Sequence, residues 1–461
     1  MSTYSTSTGL GGLDASIMYE TEREENIGTA FNTTLSQIAG YYSTRSSMSD
    51  LLALAVHTAT RSCGGPEIEM RFGRVDALEP GILGVPEPQE EIESLTDKFS
   101  NQGFSTQEMI TLVACGHTLG GVHGADFPTI VPGAGNNGNN FSHFDSTATS
   151  RFDNRVVVEY LQGNSTNPLL VGPDPLRNSD AKVFAADGNV TMERLTDPDI
   201  FQEDCKSVFQ KMIDTVPKGV VLSEPIQPYE VKPAALNLAL DTEGNKFIFS
   251  GDIRVRTTVR PASEISSVSL VYKNRDGSAG GQIPTLRATF QGGSGGSFDE
   301  NFQWYGFSTN LTAASSISSF NVVVTLTNGA IETHDNNGVG FPVQDLAILQ
   351  TKQSCNFGDT APGKSYISIH KSRTSKPVFV AATARSPRQG VVVPDLVSWN
   401  TEMSPSTGNS TGEYTLYTTK IIMNSIAQTQ NTVLDIISGA EGEDQVIDSF
   451  KNVGLFGVCA A

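Results

Sequence analysis

Apolar positions recur at helical spacing through the first half of the chain and alternate at strand spacing through much of the second. Pro198–Val216 shows the helical pattern most plainly, with Ile200, Phe201, Cys205, Val208, Phe209, Met212 and Ile213 on one stripe. Thr34–Tyr42, Met48–Thr60, Glu90–Phe99, Thr106–Leu119 and Asn154–Leu161 repeat the pattern over shorter runs, so residues 1–228 are expected to be helical. Long Gly-, Asn-, Pro- and Asp-rich connections, Phe127–Phe144 and Gly163–Asp187, separate these runs. Loops of that length usually carry function or an ion. The texture changes across Pro217–Pro233. Beyond it Phe247–Val259, Val268–Lys273, Leu286–Gln291 and Phe320–Thr327 read as strands bounded by Gly/Ser/Asn clusters, which predicts a β-sandwich over 229–355. Val378–Thr383, Gly390–Val393, Tyr414–Asn424 and Thr432–Ser438 continue as a second β-rich domain over 356–461. No internal repeat emerges. Neither β segment groups His, Cys and Asp at metal-ligand spacing; His334 and His370 stand alone.

A chain of 461 residues is too long for one ordinary core, so two or three domains are expected. Its 50 Asp and Glu against 31 Lys and Arg leave a net charge of −19, which argues against nucleic acid and anionic membranes as partners. No apolar run approaches the length of a bilayer-spanning helix. The opening Met1–Thr6 is polar and uncharged, unlike a secretory leader. Against that, Asn32, Asn140, Asn164, Asn189, Asn310 and Asn409 each open an Asn-X-Ser/Thr sequon. The five cysteines are odd in number, which leaves at least one unpaired within the chain, and a Cys355–Cys459 bridge would staple the last hundred residues. These signals together predict a secreted, extracellular glycoprotein whose N-terminus is missing from this sequence.

The richest chemistry lies in Leu112–Gly120. Ser105, Thr106, Gln107 and Glu108 form a capping box, and Met109, Ile110, Leu112, Val113 and Ala114 make the following helix apolar. His117 closes that buried segment. A buried imidazole costs free energy unless both ring nitrogens find partners. A metal on one and a carboxylate on the other is one solution; backbone carbonyls around a core histidine are another.

Further pieces stand in order along the chain: Gly11–Ile17, Glu25–Gly28, Ser49–Ala55, Cys63–Pro66, Gly73–Ala77, Gly103–Ser105 and Gly116–Gly120. In order and approximate spacing they resemble the haem peroxidases of the plant, fungal and bacterial superfamily, over roughly residues 9–216. The resemblance implies haem b as cofactor, with His117 as the proximal ligand to the haem iron. Asp180, within Asn178–Asp180, matches the carboxylate that holds the second ring nitrogen and makes the imidazole more basic; a helix or turn cap is its plainer role. Phe144 matches the aromatic packed under that histidine in the secreted fungal class II branch. Thr118, Asp145, Thr147 and Asp153 match a calcium site there, with hard oxygen ligands on a flexible loop. Asp14 and Ser16 match a second, distal-side calcium site. The plainer reading of each carboxylate is a solvated loop charge.

The same comparison shows what the sequence lacks. The family splits peroxide with an Arg and a His one turn apart on a distal helix, shortly before the Gly11–Ser16 loop. Here the ten residues before Gly11 hold neither His nor Arg. Asn26 matches the residue that orients the distal histidine, and His57 reads as a core or helix-end residue. Both tryptophans, Trp304 and Trp399, lie in the β region, which argues against tryptophan-radical chemistry. His123 stands where manganese-oxidising relatives carry an aspartate. The expected fold is thus multidomain: an all-α haem-peroxidase-like domain lacking its distal helix over 1–228, then β-sandwich-type domains. The expected function is hydrogen-peroxide-dependent oxidation of small phenolic-type donors, impaired in this chain. The alternative is a non-catalytic haem-binding or cell-wall-associated module whose β domains engage glycan or protein.

Overall fold

The computed structural model describes residues 3–133, 140–147, 150–297, 300–356, 362–370, 375–422, 431–442 and 444–459. The middle of the Phe127–Phe144 loop, Met423 and Asn424 at the end of one expected strand, and the side chains of His370 and Asn409 lie outside that description. The chain divides into two compact units, Met1–Gln227 with Pro387–Pro394, and Pro228–Ser386 with Asp395–Ala461.

Among its described residues the first unit contains helices α1 (Ala30–Ile38), α2 (Met48–Ser62), α3 (Ile92–Asn101) and α4 (Thr106–Gly116). After a small hairpin follow α5 (Arg155–Gln162), α6 (Pro168–Val171), α7 (Ser179–Phe184), α8 (Val190–Arg194) and α9 (Pro198–Asp214). The start of α2 shows how local chemistry sets a boundary. Ser47 accepts from the Asp50 amide at 3.1 Å, and the Asp76 carboxylate accepts from the amides of Met48 and Ser49 at 2.9 and 2.8 Å. These bonds satisfy amides that a helix leaves orphaned. Apolar faces of α3, α4, α5, α7 and α9 meet in one core that includes Leu95, Met109, Ile110, Val156, Phe184, Phe201 and Ile213.

The expected all-α first domain is corrected by this structure. Among the described residues more positions lie in strands than in helices, and six of the nine α-helices span ten residues or fewer. Within the first unit β1 (Gly121–His123) pairs antiparallel with β2 (Phe141–His143). The physical reason lies in the glycines that follow His117. Gly120 has φ +83, and a Cβ on Gly121 would come 2.1 Å from the Ser142 carbonyl oxygen, so two strands meet just past the expected Thr106–Leu119 helix, where no strand was expected.

In the second unit β3 (Val231–Leu240), β4 (Lys246–Arg256), β5 (Ile265–Lys273), β6 (Ala279–Pro284), β7 (Leu286–Arg287), β8 (Ser294–Ser297), β9 (Glu300–Thr312), β10 (Ser319–Leu326), β11 (Ile331–His334) and β12 (Phe341–Pro342) build two sheets. One runs β3-β4-β9-β7 with β8 on β9, the other β11-β10-β5-β6 with β12 on β10. Alternation explains their pairing. Phe247 and Phe249 of β4 and Phe320, Val322 and Val324 of β10 turn their period-two faces into one apolar cluster. Further along come β13 (Ala347–Leu349), β14 (Cys355–Asn356), β15 (Pro362–His370), β16 (Val378–Arg388), β17 (Val391–Glu402), β18 (Ser404–Thr411), β19 (Tyr414–Ile422), β20 (Val433–Ser438), β21 (Val446–Asn452) and β22 (Gly457–Val458). They form one sheet ordered β18-β19-β15-β14-β22 with β13 on β15, and another ordered β17-β16-β20-β21. Cys355 and Cys459 are bridged, as are Cys115 and Cys205, which leaves Cys63 as the free thiol.

Candidate functional site

The capping box at the start of α4 forms in both directions. The Ser105 amide donates to Glu108 Oε2 at 2.8 Å, and the Glu108 amide donates to Ser105 Oγ at 3.2 Å. Partial burial works against the charge on Glu108. The Lys211 ammonium, donating from α9 at 2.7 and 2.8 Å, and the Ser105 amide outweigh it and hold the carboxyl below its ordinary range. The Cys115–Cys205 bridge fastens the other end of α4 to α9. The helix then stops at Gly116, and His117 sits at its C-cap with its amide donating to the Val113 carbonyl at 2.8 Å.

The His117 ring lies 4.2 Å from the Phe144 ring, centroid to centroid, with 16° between planes. Its Nδ1 donates to Asp180 Oδ2 at 2.7 Å. That bond puts the proton on Nδ1 and the lone pair on Nε2, the state a metal-ligating histidine needs. Asp180 is buried on α7, whereas the His117 side chain keeps 29% of its surface exposed. Burial by itself would lower the imidazole's pKa; the adjacent Asp180 carboxylate and its hydrogen bond reverse that, and the net shift is upward. The site thus offers one basic, oriented nitrogen over a flat aromatic floor.

The expected calcium residues fall into local pairs. Buried Thr118 donates from Oγ1 to the Asp153 carbonyl, while Asp153 Oδ1 accepts from the Arg155 amide at 3.0 Å. Buried Asp145 accepts from the Thr147 amide at 2.8 Å and from its hydroxyl at 2.7 Å. Between them in sequence, Ser146 donates to Glu159, a second buried carboxylate, on α5, that sequence reasoning had not singled out. Asp14 Oδ1 accepts from the Ser16 amide at 3.1 Å in a local turn. Among the described residues no group of three or more His, Cys, Asp or Glu side chains is arranged to hold a metal ion.

On the other side of the comparison, Asn26 Nδ2 donates to the Glu20 carbonyl at 3.1 Å, which leaves its amide oxygen as the remaining acceptor. His57 donates from Nδ1 to the Ile68 carbonyl at 2.6 Å. His123, on β1, packs against Phe141 at 4.7 Å between ring centroids. Two further features escaped the sequence reading. Asn167, fully buried, donates from Nδ2 at 2.7 Å to the same Asp180 oxygen that His117 contacts. An Asn before Pro168 carries a helix-start signal, which it also fulfils, accepting from the Leu169 amide at 2.8 Å. Arg74 and Asp50, met in the sequence only as motif pieces, form a buried ion pair at 3.0 Å.

Comparison with known proteins places residues 4–199 within the family model described as peroxidase. A WSC domain-containing protein of Arthroderma benhamiae is 41% identical over 466 residues; the alignment covers 100% of this chain but 61% of that protein's length. Peroxidase 50 of Arabidopsis thaliana is 29% identical over 134 residues, covering 25% of this chain and 40% of the relative. The peroxisomal L-ascorbate peroxidase 5 of the same plant is 29% identical over 185 residues, covering 39% and 61% respectively. The family match and the plant relatives support a member of the peroxidase superfamily.

Proposed function

We propose that this peroxidase-superfamily segment binds haem b through His117 and uses it with hydrogen peroxide to oxidise small, phenolic-type donors. The observation that carries the reading is the 2.7 Å bond from His117 Nδ1 to buried Asp180, beside the stacked Phe144. The donor chemistry fits the group. Among the described residues only Nδ1 of His117 is hydrogen-bonded to a side chain, and the ring keeps 29% of its surface exposed. Bound there, haem would supply the redox chemistry. The chain's own residues do the rest: Asp180 fixes the tautomer and raises the basicity of the imidazole, and Phe144 keeps the ring in its plane.

Calcium belongs to the same reading. Asp145, Thr147, Thr118 and Asp153 provide hard oxygens, and a divalent cation would offset the buried carboxylates Asp145 and Glu159. Asp14 and Ser16 are a weaker second set. The two disulfides and the sequons favour an extracellular, glycosylated protein of the secreted fungal type. Among the described residues no helix is long and apolar enough to cross a membrane.

Splitting peroxide needs a base to take its proton and an acid to protonate the leaving oxygen. Peroxide turnover by the haem-loaded protein therefore reads whether such a pair acts at the site. A haem titration against the chain and against His117→Ala tests the reading. A Soret band that depends on His117 supports it; no such band removes it. Bound haem with no peroxide-dependent dye oxidation favours a second reading, a non-catalytic haem-binding, wall-associated module, consistent with similarity along this chain to 61% of a WSC domain-containing protein. Brisk peroxide-dependent dye oxidation supports the catalytic reading.

A further inference from the structure

Asp180 is asked to serve two donors with one oxygen. His117 Nδ1 and Asn167 Nδ2 both lie 2.7 Å from Asp180 Oδ2. Asn167 and Asp180 are buried, so neither can exchange this bond for water. A carboxylate oxygen that accepts a second hydrogen bond has less electron density to offer the first. The amide therefore weakens the pull of Asp180 on the imidazole while holding the carboxylate in the plane that His117 requires. Asn167 cannot swing away: its own oxygen is tied to the Leu169 amide at 2.8 Å, at the start of a helix opened by Pro168. The side chain is bound at both ends, one to the backbone and one to the site.

We infer that Asn167 is a positioning residue that sets how strongly Asp180 polarises His117, and through it the electron donation of the Nε2 atom. For a bound haem, which rests on the reading above, less imidazolate character at the ligand means a higher iron(III)/iron(II) potential and a softer iron–histidine bond.

Two substitutions separate this role from a structural one. Asn167→Ser keeps an oxygen that caps α6 but is too short to reach Asp180, whereas Asn167→Leu removes both the cap and the donor. The haem-independent readout is the His117 Nδ1 proton resonance of the whole chain, labelled with 15N-histidine. Both variants are expected to move it downfield, as the His117–Asp180 bond strengthens. In the haem-loaded protein both are expected to shift the potential negative and raise the iron–histidine stretching frequency. An unmoved proton resonance in Asn167→Ser overturns the inference, and so does a change confined to Asn167→Leu. If haem fails to bind, the peroxidase reading falls, and the proton resonance still decides the role of Asn167.

Discussion

Arg74 has a fully buried side chain and spends every part of its guanidinium. It bonds to Asp50 at 3.0 Å, to the Ile213 carbonyl at 2.9 and 2.8 Å, and to Asp214 at 3.2 Å. Asp50 also accepts from the amides of Gly73 and Arg74 at 3.0 and 3.2 Å. This network ties the start of α2 to the end of α9. Arg74→Met is expected to lower stability by about 3–5 kcal/mol in urea melts, because Asp50 would stay buried without its cation. The double variant Arg74→Met with Asp50→Leu should recover part of the loss; no recovery would show that the cost is packing and not charge. At the candidate site itself, Asp180→Asn keeps the shape but removes the negative charge on His117. Haem affinity is expected to fall roughly 10–100-fold in a Soret titration, the range typical of outer-shell partners. The pairing of His117 with Asp180 was legible because each sits in a motif of a resembled family. Asn167 was not, since its capping role already accounts for an Asn before Pro in sequence, and its bond to Asp180 exists only once α6 and α7 are packed.

At the scale of elements, α4 carries the site and its start is the most testable part. Ser105→Ala should cost about 1 kcal/mol, as loss of an N-cap usually does. Glu108 adds a pH signature. Its folded pKa lies below the ordinary 4.5, so its contribution is present above pH 4.5 and is lost as pH falls through the depressed folded value. The stability difference between the wild type and Glu108→Gln is therefore expected to be constant from pH 7 to 5.5 and to shrink below 4.5; a difference that grew in acid would contradict the pairing with Lys211. Because Glu108 is about a third exposed, the effect should be small. The longer helices were legible where the apolar period ran: the Met48–Thr60 and Pro198–Val216 runs became α2 and α9, and the capping box at Ser105 opened α4. The short ones, α6, α7 and α8, were not, because four to six residues cannot display a 3.6-residue period. The pair β1 and β2 escaped for the same reason, at three residues each, and this is where the all-α expectation failed.

For the whole molecule, the informative fact is that each unit holds its own disulfide. Cys115–Cys205 spans 90 positions within the first unit and Cys355–Cys459 spans 104 within the second. Closing loops of that length stabilises a fold by about 4–5 kcal/mol in the chain-entropy account. The bridges should therefore act on different properties. His117, Asp180, Phe144 and Asn167 all belong to the first unit, and Cys115 is two residues from His117 on the end of α4. Replacing Cys115 and Cys205 by Ser is expected to free that end of α4 from α9 and to weaken His117-dependent haem absorbance. Replacing Cys355 and Cys459 by Ser removes the link beside the β14–β22 pairing. It should make residues 356–459 readily cleaved in limited proteolysis while the haem titration stays unchanged. Loss of haem absorbance in the second double variant would mean that the β-rich unit contributes to the site, and the assignment of the chemistry to the first unit alone would have to be abandoned.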